Sequence, residues 1–285
     1  MVRLLLFLSL VGGVASCSET RPRAAVTPKA SASPTPSPSP SPSPSPSPAA
    51  PAPVEDPAAI ARELTAAERA IRSDTPATEA VGRVQQASYR KLVINSAWRD
   101  PVRSQIPEDL RASFNANLNA GIELRQLVNP LTKLPDWRIV APPPAEELRG
   151  HYGEVETRFG IRWQYIAAIH LIESRMGRIR GTSTAGAQGP MQFLPSTWKR
   201  WGEGDINDPR DSILAAGRFL QGHGAPADMT GALHSYNPTD RYVRAVTLYA
   251  GQMIQDPRTY YGYYHWQVYV ITTTGDVLLE VGYGQ

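Results

Sequence analysis

A mainly α fold of the α+β class is what this sequence predicts, with one small β-hairpin at the C-terminal end. Three observations carry that prediction. Apolar residues recur at helical spacing behind the start signals Asp56-Pro57, Thr75-Pro76 and Asp208-Pro209. The period changes near the end, where 267–273 and 277–283 are rich in Val, Thr and Tyr and flank Gly275-Asp276. Prolines crowd the opposite end: 13 of the 27 lie in the first 57 residues, and the rest of the 285-residue chain has ordinary globular composition.

At the N-terminus, Arg3 precedes the apolar-dominated run Leu4 to Val14, which matches a signal-peptide h-region and is too short to span a membrane. The run ends in Val14-Ala15-Ser16-Cys17, which resembles the bacterial lipobox. There cleavage precedes the Cys, whose sulfur carries a diacylglyceryl group. Residues 1–16 therefore read as a lipoprotein signal peptide and Cys17 as the lipidation site. The alternative is an ordinary signal peptide with an incidental Cys. Cys17 is the single cysteine, which excludes a disulfide framework and any Cys-based zinc site.

Residues 17–57 read as a disordered Ser/Pro-rich tether. Seven Ser-Pro dipeptides and one Thr-Pro fill 33–48, and proline both fixes φ and removes the N–H donor that helix and sheet need. An extended spacer of this kind reaches roughly 120 Å from its anchor. Ser/Thr-Pro repeats are also open to glycosylation.

Residues 58–140 form a helical region. Ile60, Leu64, Ala67 and Ile71 make the first apolar stripe, a second helix runs from Thr75-Pro76 to about Asn95, and a third from about Glu108 to Val128. No cluster here connects to chemistry, so the region reads as packing or positioning. Pro142-Pro143-Pro144 marks a boundary, and 141–257 reads as a second unit with helices at 145–159, 162–176, 196–201, 209–222, 229–236 and 240–254. Residues 258–285 hold an aromatic cluster and the hairpin. An isolated hairpin is marginal in water, so this one must pack on the core. The cluster, Tyr260 to Trp266, reads as the glue that holds it there rather than as a glycan platform.

Ile166 to Glu173 is apolar almost all round and predicts a buried central helix. A carboxyl at its end is desolvated, which raises its pKa and suits it to general-acid work. The competing reading pairs Glu173 with Arg175, Arg178 or Arg180. His170 reads as a core histidine, since one HxxE pair is too little for a metal, and no metal or cofactor is expected. Ser183 misses the G-x-S-x-G spacing of a nucleophile elbow. Gly186, Gly189 and Pro190 form a tight loop leading into Met191, Gln192 and Phe193, and Tyr236, Asn237 and Tyr242 meet at a helix junction. An acid, amides and aromatics are what a polysaccharide cleft needs. The formal charge of +3, without a dense basic run, gives no nucleic-acid footprint.

Four stretches in order, ESRMGR, S-x-x-G-A-x-G-x-M-Q-F-x-P-S-T-W, D-P-x-D-S-I and A-L-x-x-Y-N-x-x-x-x-Y-V, resemble the lysozyme-like lytic transglycosylases, nearest the membrane-bound type B family. They cover roughly Trp163 to Met253, about a third of the chain. The resemblance implies a lysozyme-like helical catalytic core with Glu173 as sole catalytic carboxyl. It implies substrate contacts from Ser183, Met191, Gln192, Tyr236, Asn237 and Tyr242. The implied partner is the glycan strand of peptidoglycan, the implied reaction is cleavage between N-acetylmuramic acid and N-acetylglucosamine with a 1,6-anhydromuramoyl product, and the chain is expected to be a monomer. A hydrolytic lysozyme on the same fold, with water as nucleophile and one of the later Asp residues as second carboxylate, and a non-catalytic wall-binding lipoprotein are the other readings; of the nearest downstream acids, Glu203, Asp205, Asp208 and Asp211, the last two read as helix caps. The excess of Arg over Lys (25 against 4) reads as high-GC coding and points to an actinobacterial plasma membrane, with the spacer reaching into the cell wall.

Overall fold

The computed structural model describes residues 56–285. The signal peptide, Cys17 and nearly all of the tether assigned to 17–57 lie outside the described residues. The described chain is mainly helical, with two small antiparallel sheets.

Helix α1 (Pro57–Ile71) opens as the sequence predicts: Asp56 is the N-cap, accepting from the Ala58 N–H at 3.1 Å, with Pro57 in the first turn. Its stripe of Ile60, Leu64, Ala67 and Ile71 is buried against α2 (Glu79–Ile94) and α3 (Arg99–Gln105). Helix α2 starts later than Thr75-Pro76 suggests, because Thr78 supplies the cap that frees the chain from the preceding turn. Helix α3 has no counterpart in the sequence reading: Pro101 hides a helical turn inside what reads as a connection. Helix α4 (Glu108–Arg125) ends one turn short of Val128.

Helices α5 (Ala145–Phe159), α6 (Trp163–Ser174), α7 (Pro195–Trp201), α8 (Pro209–Gly222), α9 (Met229–Tyr236) and α10 (Asp240–Gln255) keep the predicted order. Ten of the twelve residues of α6 are buried, which makes it the central helix. Around it, α5 packs on α8, and α10 packs on both α6 and α4. Through α10 one apolar core runs from Ile60 to Trp266, joining the first four helices to the rest.

Helix α6 stops at Ser174, before the predicted 176, because Arg175 (φ 54°) and Met176 (φ 60°) turn left-handed ahead of Gly177 (φ 82°). The Ser174 hydroxyl holds this turn: it accepts from the Gly177 N–H at 3.0 Å and donates to the Pro190 carbonyl at 2.6 Å. The end of the helix is thereby tied to the glycine loop.

The remaining elements close the structure. Strands β1 (Arg138–Ile139) and β2 (Ile179–Arg180) pair briefly; two residues each leave no alternating pattern to read. Helix α11 (Thr259–Tyr264) makes a compact turn of the aromatic segment, with Tyr260, Tyr263 and Trp266 buried in the core. The hairpin pairs β3 (Val268–Thr272) with β4 (Gly275–Leu279). Its turn is Thr273-Thr274, so Gly275-Asp276 lies inside the second strand rather than at the bend. The hairpin packs mainly on the segment after α4, where Leu131, Trp137 and Ile139 meet Val268, Val270 and Leu279 in a second apolar cluster. No helix of the described residues is long and apolar enough to cross a membrane.

Candidate active site

A cleft is lined by side chains of α2, α4, the end of α6, the loop after β2 and the terminal hairpin. Glu173, the penultimate residue of α6, is one of its lining residues and is only 7% exposed. Burial pushes its carboxyl up to about 8, and the one hydrogen bond opposing that shift comes from Tyr242. The Tyr242 hydroxyl donates to Oε1 at 2.7 Å. Tyr242 is itself fully buried on the first turn of α10, and burial raises its pKa well above the usual tyrosine value, so the hydroxyl keeps the proton it donates.

The alternative arginine pairing of Glu173 is not formed among the described residues. Arg175 donates instead to the Leu171 carbonyl at 2.6 Å, Arg180 to the Asn207 carbonyl at 3.1 Å, and Arg178 sits 5.6 Å from the Tyr264 ring centroid. His170, fully buried one turn before Glu173, faces away toward the Tyr152 hydroxyl at 2.7 Å. Burial lowers its pKa to about 3, which keeps the imidazole neutral.

The glycine loop makes the neighbouring wall. The Ser183 hydroxyl accepts from the Ala187 N–H at 3.0 Å, and Gln192 donates through Nε2 to the Gly189 carbonyl at 2.9 Å. Gly189 is left-handed (φ 72°), and a Cβ there would fall 2.0 Å from the Ile206 carbonyl oxygen, so this close approach needs glycine. Ser183 and Gln192 line the cleft with Glu173.

The other residues expected at the substrate sit behind that surface. Met191 is wholly buried, and its carbonyl accepts from the Tyr236 hydroxyl at 2.6 Å. The Tyr236 ring lies parallel to that of Tyr242, 6.4 Å between centroids, so the two tyrosines brace the acid and the loop from one side. Asn237 is 2% exposed and caps α9, its Oδ1 accepting from Thr239. None of Met191, Tyr236, Asn237 and Tyr242 is among the cleft-lining side chains. The downstream acids are engaged elsewhere: Glu203 with Arg218, Asp205 with Asn207, Asp208 as the cap of α8, and Asp211 with the Asp205 N–H.

The cleft also contains residues that no local sequence signal singles out. Arg90 on α2, Arg125 on α4, Trp137, and Tyr269 and Asp276 on the hairpin all line it. Each comes from a segment that reads as packing or as a turn. Only the fold brings them into the same cleft as Glu173.

Residues 152–255 match the family model described as Transglycosylase SLT domain. Over 79 residues, 28% of this chain, the sequence is 38% identical to a membrane-bound lytic murein transglycosylase F from Thiobacillus denitrificans. The chain spans 17% of that relative's length. No solved structure matches. The relative is named as an F type, whereas the motifs resemble type B. From α5 to α10, the segment that carries Glu173, Ser183 and Gln192, this chain is a match to the transglycosylase SLT domain and similar to a lytic murein transglycosylase.

Proposed function

We propose that the chain is a peptidoglycan lytic transglycosylase that cleaves the β-1,4 bond between N-acetylmuramic acid and N-acetylglucosamine, with Glu173 as its single acid and base. The observation that carries this reading is Glu173 itself, a cleft-facing carboxyl pushed up to about 8 by burial and therefore protonated near neutral pH. Protonated Glu173 gives its proton to the leaving glycosidic oxygen. The substrate's own acetamido oxygen stabilises the oxocarbenium-like centre. The carboxylate left behind then takes the proton of the muramoyl 6-hydroxyl as that oxygen closes on the anomeric carbon, giving a 1,6-anhydro end without water. One group serves both steps by microscopic reversibility.

A two-carboxylate hydrolase draws less support. Among the described residues, Asp276 is the one other carboxyl lining the cleft, and it is bound by Arg90 and Arg125. Glu203, Asp205, Asp208 and Asp211 do not line it. Ser183 and Gln192 are the side chains placed to meet the sugar beside the acid; Tyr242 orients the acid, and Met191, Tyr236 and Asn237 shape the wall from behind. In this reading Cys17 carries the lipid anchor, residues 17–57 are the tether, 58–140 and 258–285 flank the catalytic unit 141–257, and the monomer works in the cell envelope.

Mass spectrometry of muropeptides released from purified peptidoglycan by the full-length chain, beside its Glu173→Gln variant, tests the reading. Products one water lighter than reducing muropeptides, lost in the variant, support it. Reducing ends make the chain a hydrolase. Binding without release makes it a wall-binding protein.

A further inference from the structure

The charged side chains lining the cleft are Arg90, Arg125, Arg175, Glu173 and Asp276. With Glu173 protonated near neutral pH, three guanidiniums face one carboxylate. Asp276 pairs with Arg90 and accepts from Nη1 of Arg125 at 3.0 Å on both oxygens. Arg90 is further fixed by stacking 3.9 Å over the Tyr269 ring. Arg125 spends only Nη1 on protein partners among the described residues, and its side chain is 31% exposed. Arg175 has no acidic partner among the described residues; its Nη1 bonds a backbone carbonyl. Burial lowers Arg90 only to about 10, so it stays charged at neutral pH.

Three guanidiniums share one paired carboxylate on the cleft wall, and the unused N–H donors of Arg125 are placed to recognise an anion. A planar guanidinium with spare donors suits a carboxylate, which it can grip in bidentate fashion. The three arginines come from different elements, α2, α4 and the turn after α6, and the acid that fixes two of them comes from the hairpin. Two of these elements precede residues 152–255 and one lies beyond them, so the site is built by the flanking regions closing on the matched domain.

We propose that Arg125 and Arg90, held by Asp276, form with Arg175 a carboxylate-binding subsite that takes an acidic substituent of the glycan strand. This rests on the reading of the chain as a peptidoglycan-acting enzyme. Two sources carry that chemistry: the free lactyl carboxylate of peptide-free muramic acid, and the carboxylates of an attached peptide stem. An amide-linked stem masks the lactyl group, so the two can be separated.

The test measures binding by calorimetry to the full-length chain carrying Glu173→Gln, which leaves the ligand intact. Three hexamers serve as probes: neutral N-acetylglucosamine, peptide-free alternating N-acetylglucosamine–muramic acid, and the same strand bearing peptide stems. The parent should prefer an acidic strand over the neutral one, and adding Arg125→Gln should shrink that preference about tenfold, with Arg125→Lys recovering part of it. Loss on the peptide-free strand assigns the lactyl carboxylate, and loss confined to the stem-bearing strand assigns the stem. If Arg125→Gln does not fold, Arg175→Gln, whose guanidinium anchors no acid, carries the same comparison. A parent without preference, or a preference unchanged by both substitutions, overturns the subsite. Because turnover is not read, failure to release muropeptides would strike the catalytic reading and leave this ratio measurable.

Discussion

The hydroxyl of Tyr242 on α10 donates a 2.7 Å hydrogen bond to Oε1 of Glu173 on α6, joining residues 69 apart in sequence. Among the described residues it is the one side-chain hydrogen bond to that carboxyl. Burial raises the pKa of Glu173, and this bond draws it part of the way back.

With Glu173 as the proposed acid, that balance sets the expected pH dependence of strand cleavage. An acid pushed up to about 8 stays protonated through neutrality and is lost above that value. The rate should be maintained near pH 7 and fall about tenfold per unit once the pH exceeds about 8. Initial rates of muropeptide release between pH 5 and 10 measure it. A limb near pH 5 would mean that Glu173 acts as an ionised group.

Stability carries the same signature with its own sign. Between the ordinary carboxyl value of 4.5 and about 8 the folded chain holds a proton on Glu173 that the unfolded chain has released. The native state thus binds more protons, and this residue's contribution to stability declines as the pH rises, by ~1.4 kcal/mol per unit, until the folded carboxyl itself ionises. Glutamine does not titrate. Glu173→Gln should therefore melt progressively higher than the unsubstituted chain from pH 5 to 8, with little difference near pH 4. A constant offset would contradict the burial argument.

Tyr242→Phe removes the donor and leaves the ring in place beside Tyr236. The carboxylate form of Glu173 loses its stabilising partner, so its pKa should rise further and the alkaline limb should move to higher pH. Cleavage at pH 7 should fall about tenfold, because the second step of the proposed mechanism needs the carboxylate that the hydroxyl stabilises and aims. A merely structural tyrosine would lower the melting temperature without moving the limb.

The Glu173 side of the cleft is legible in the sequence because its signals are local. An apolar helix ending in Glu173, a glycine loop and a capped helix each sit within a few residues, and the fold brings them together as the pattern suggests. Burial depth is not legible. Tyr236, Asn237 and Tyr242 read as cleft residues, yet they are 4%, 2% and 0% exposed. Their polar tips satisfy the protein: a buried hydroxyl needs an internal partner, and which partner it finds is set by tertiary contact. The side built by α2, α4 and the hairpin is invisible for a different reason. Arg90 and Arg125 lie in the helical region that reads as packing or positioning, and Asp276 reads as a turn residue. Their meeting depends on the hairpin returning to α2 and α4 across 151 residues or more.

The other buried acid among the described residues shows how the α2 and α4 side of the cleft is held. Glu68 on α1 is 2% exposed and pairs with Arg72. Its Oε1 accepts from the Tyr89 hydroxyl at 2.6 Å, from Gln85 at 3.1 Å and from Asn117 at 3.2 Å, so one carboxylate ties α1 to α2 and α4. Tyr89 and Asn117 also line the cleft. Glu68→Ala takes the shared acceptor from three buried donors and the counter-charge from Arg72, which should cost about 3–5 kcal/mol in urea unfolding. Glu68→Gln keeps an oxygen acceptor for the tyrosine and amides and loses the charge and the hydrogen bond that Oε2 accepts from Arg72, so it should cost less. Equal losses in the two variants would mean that the ion pair, rather than the shared acceptor, secures the wall.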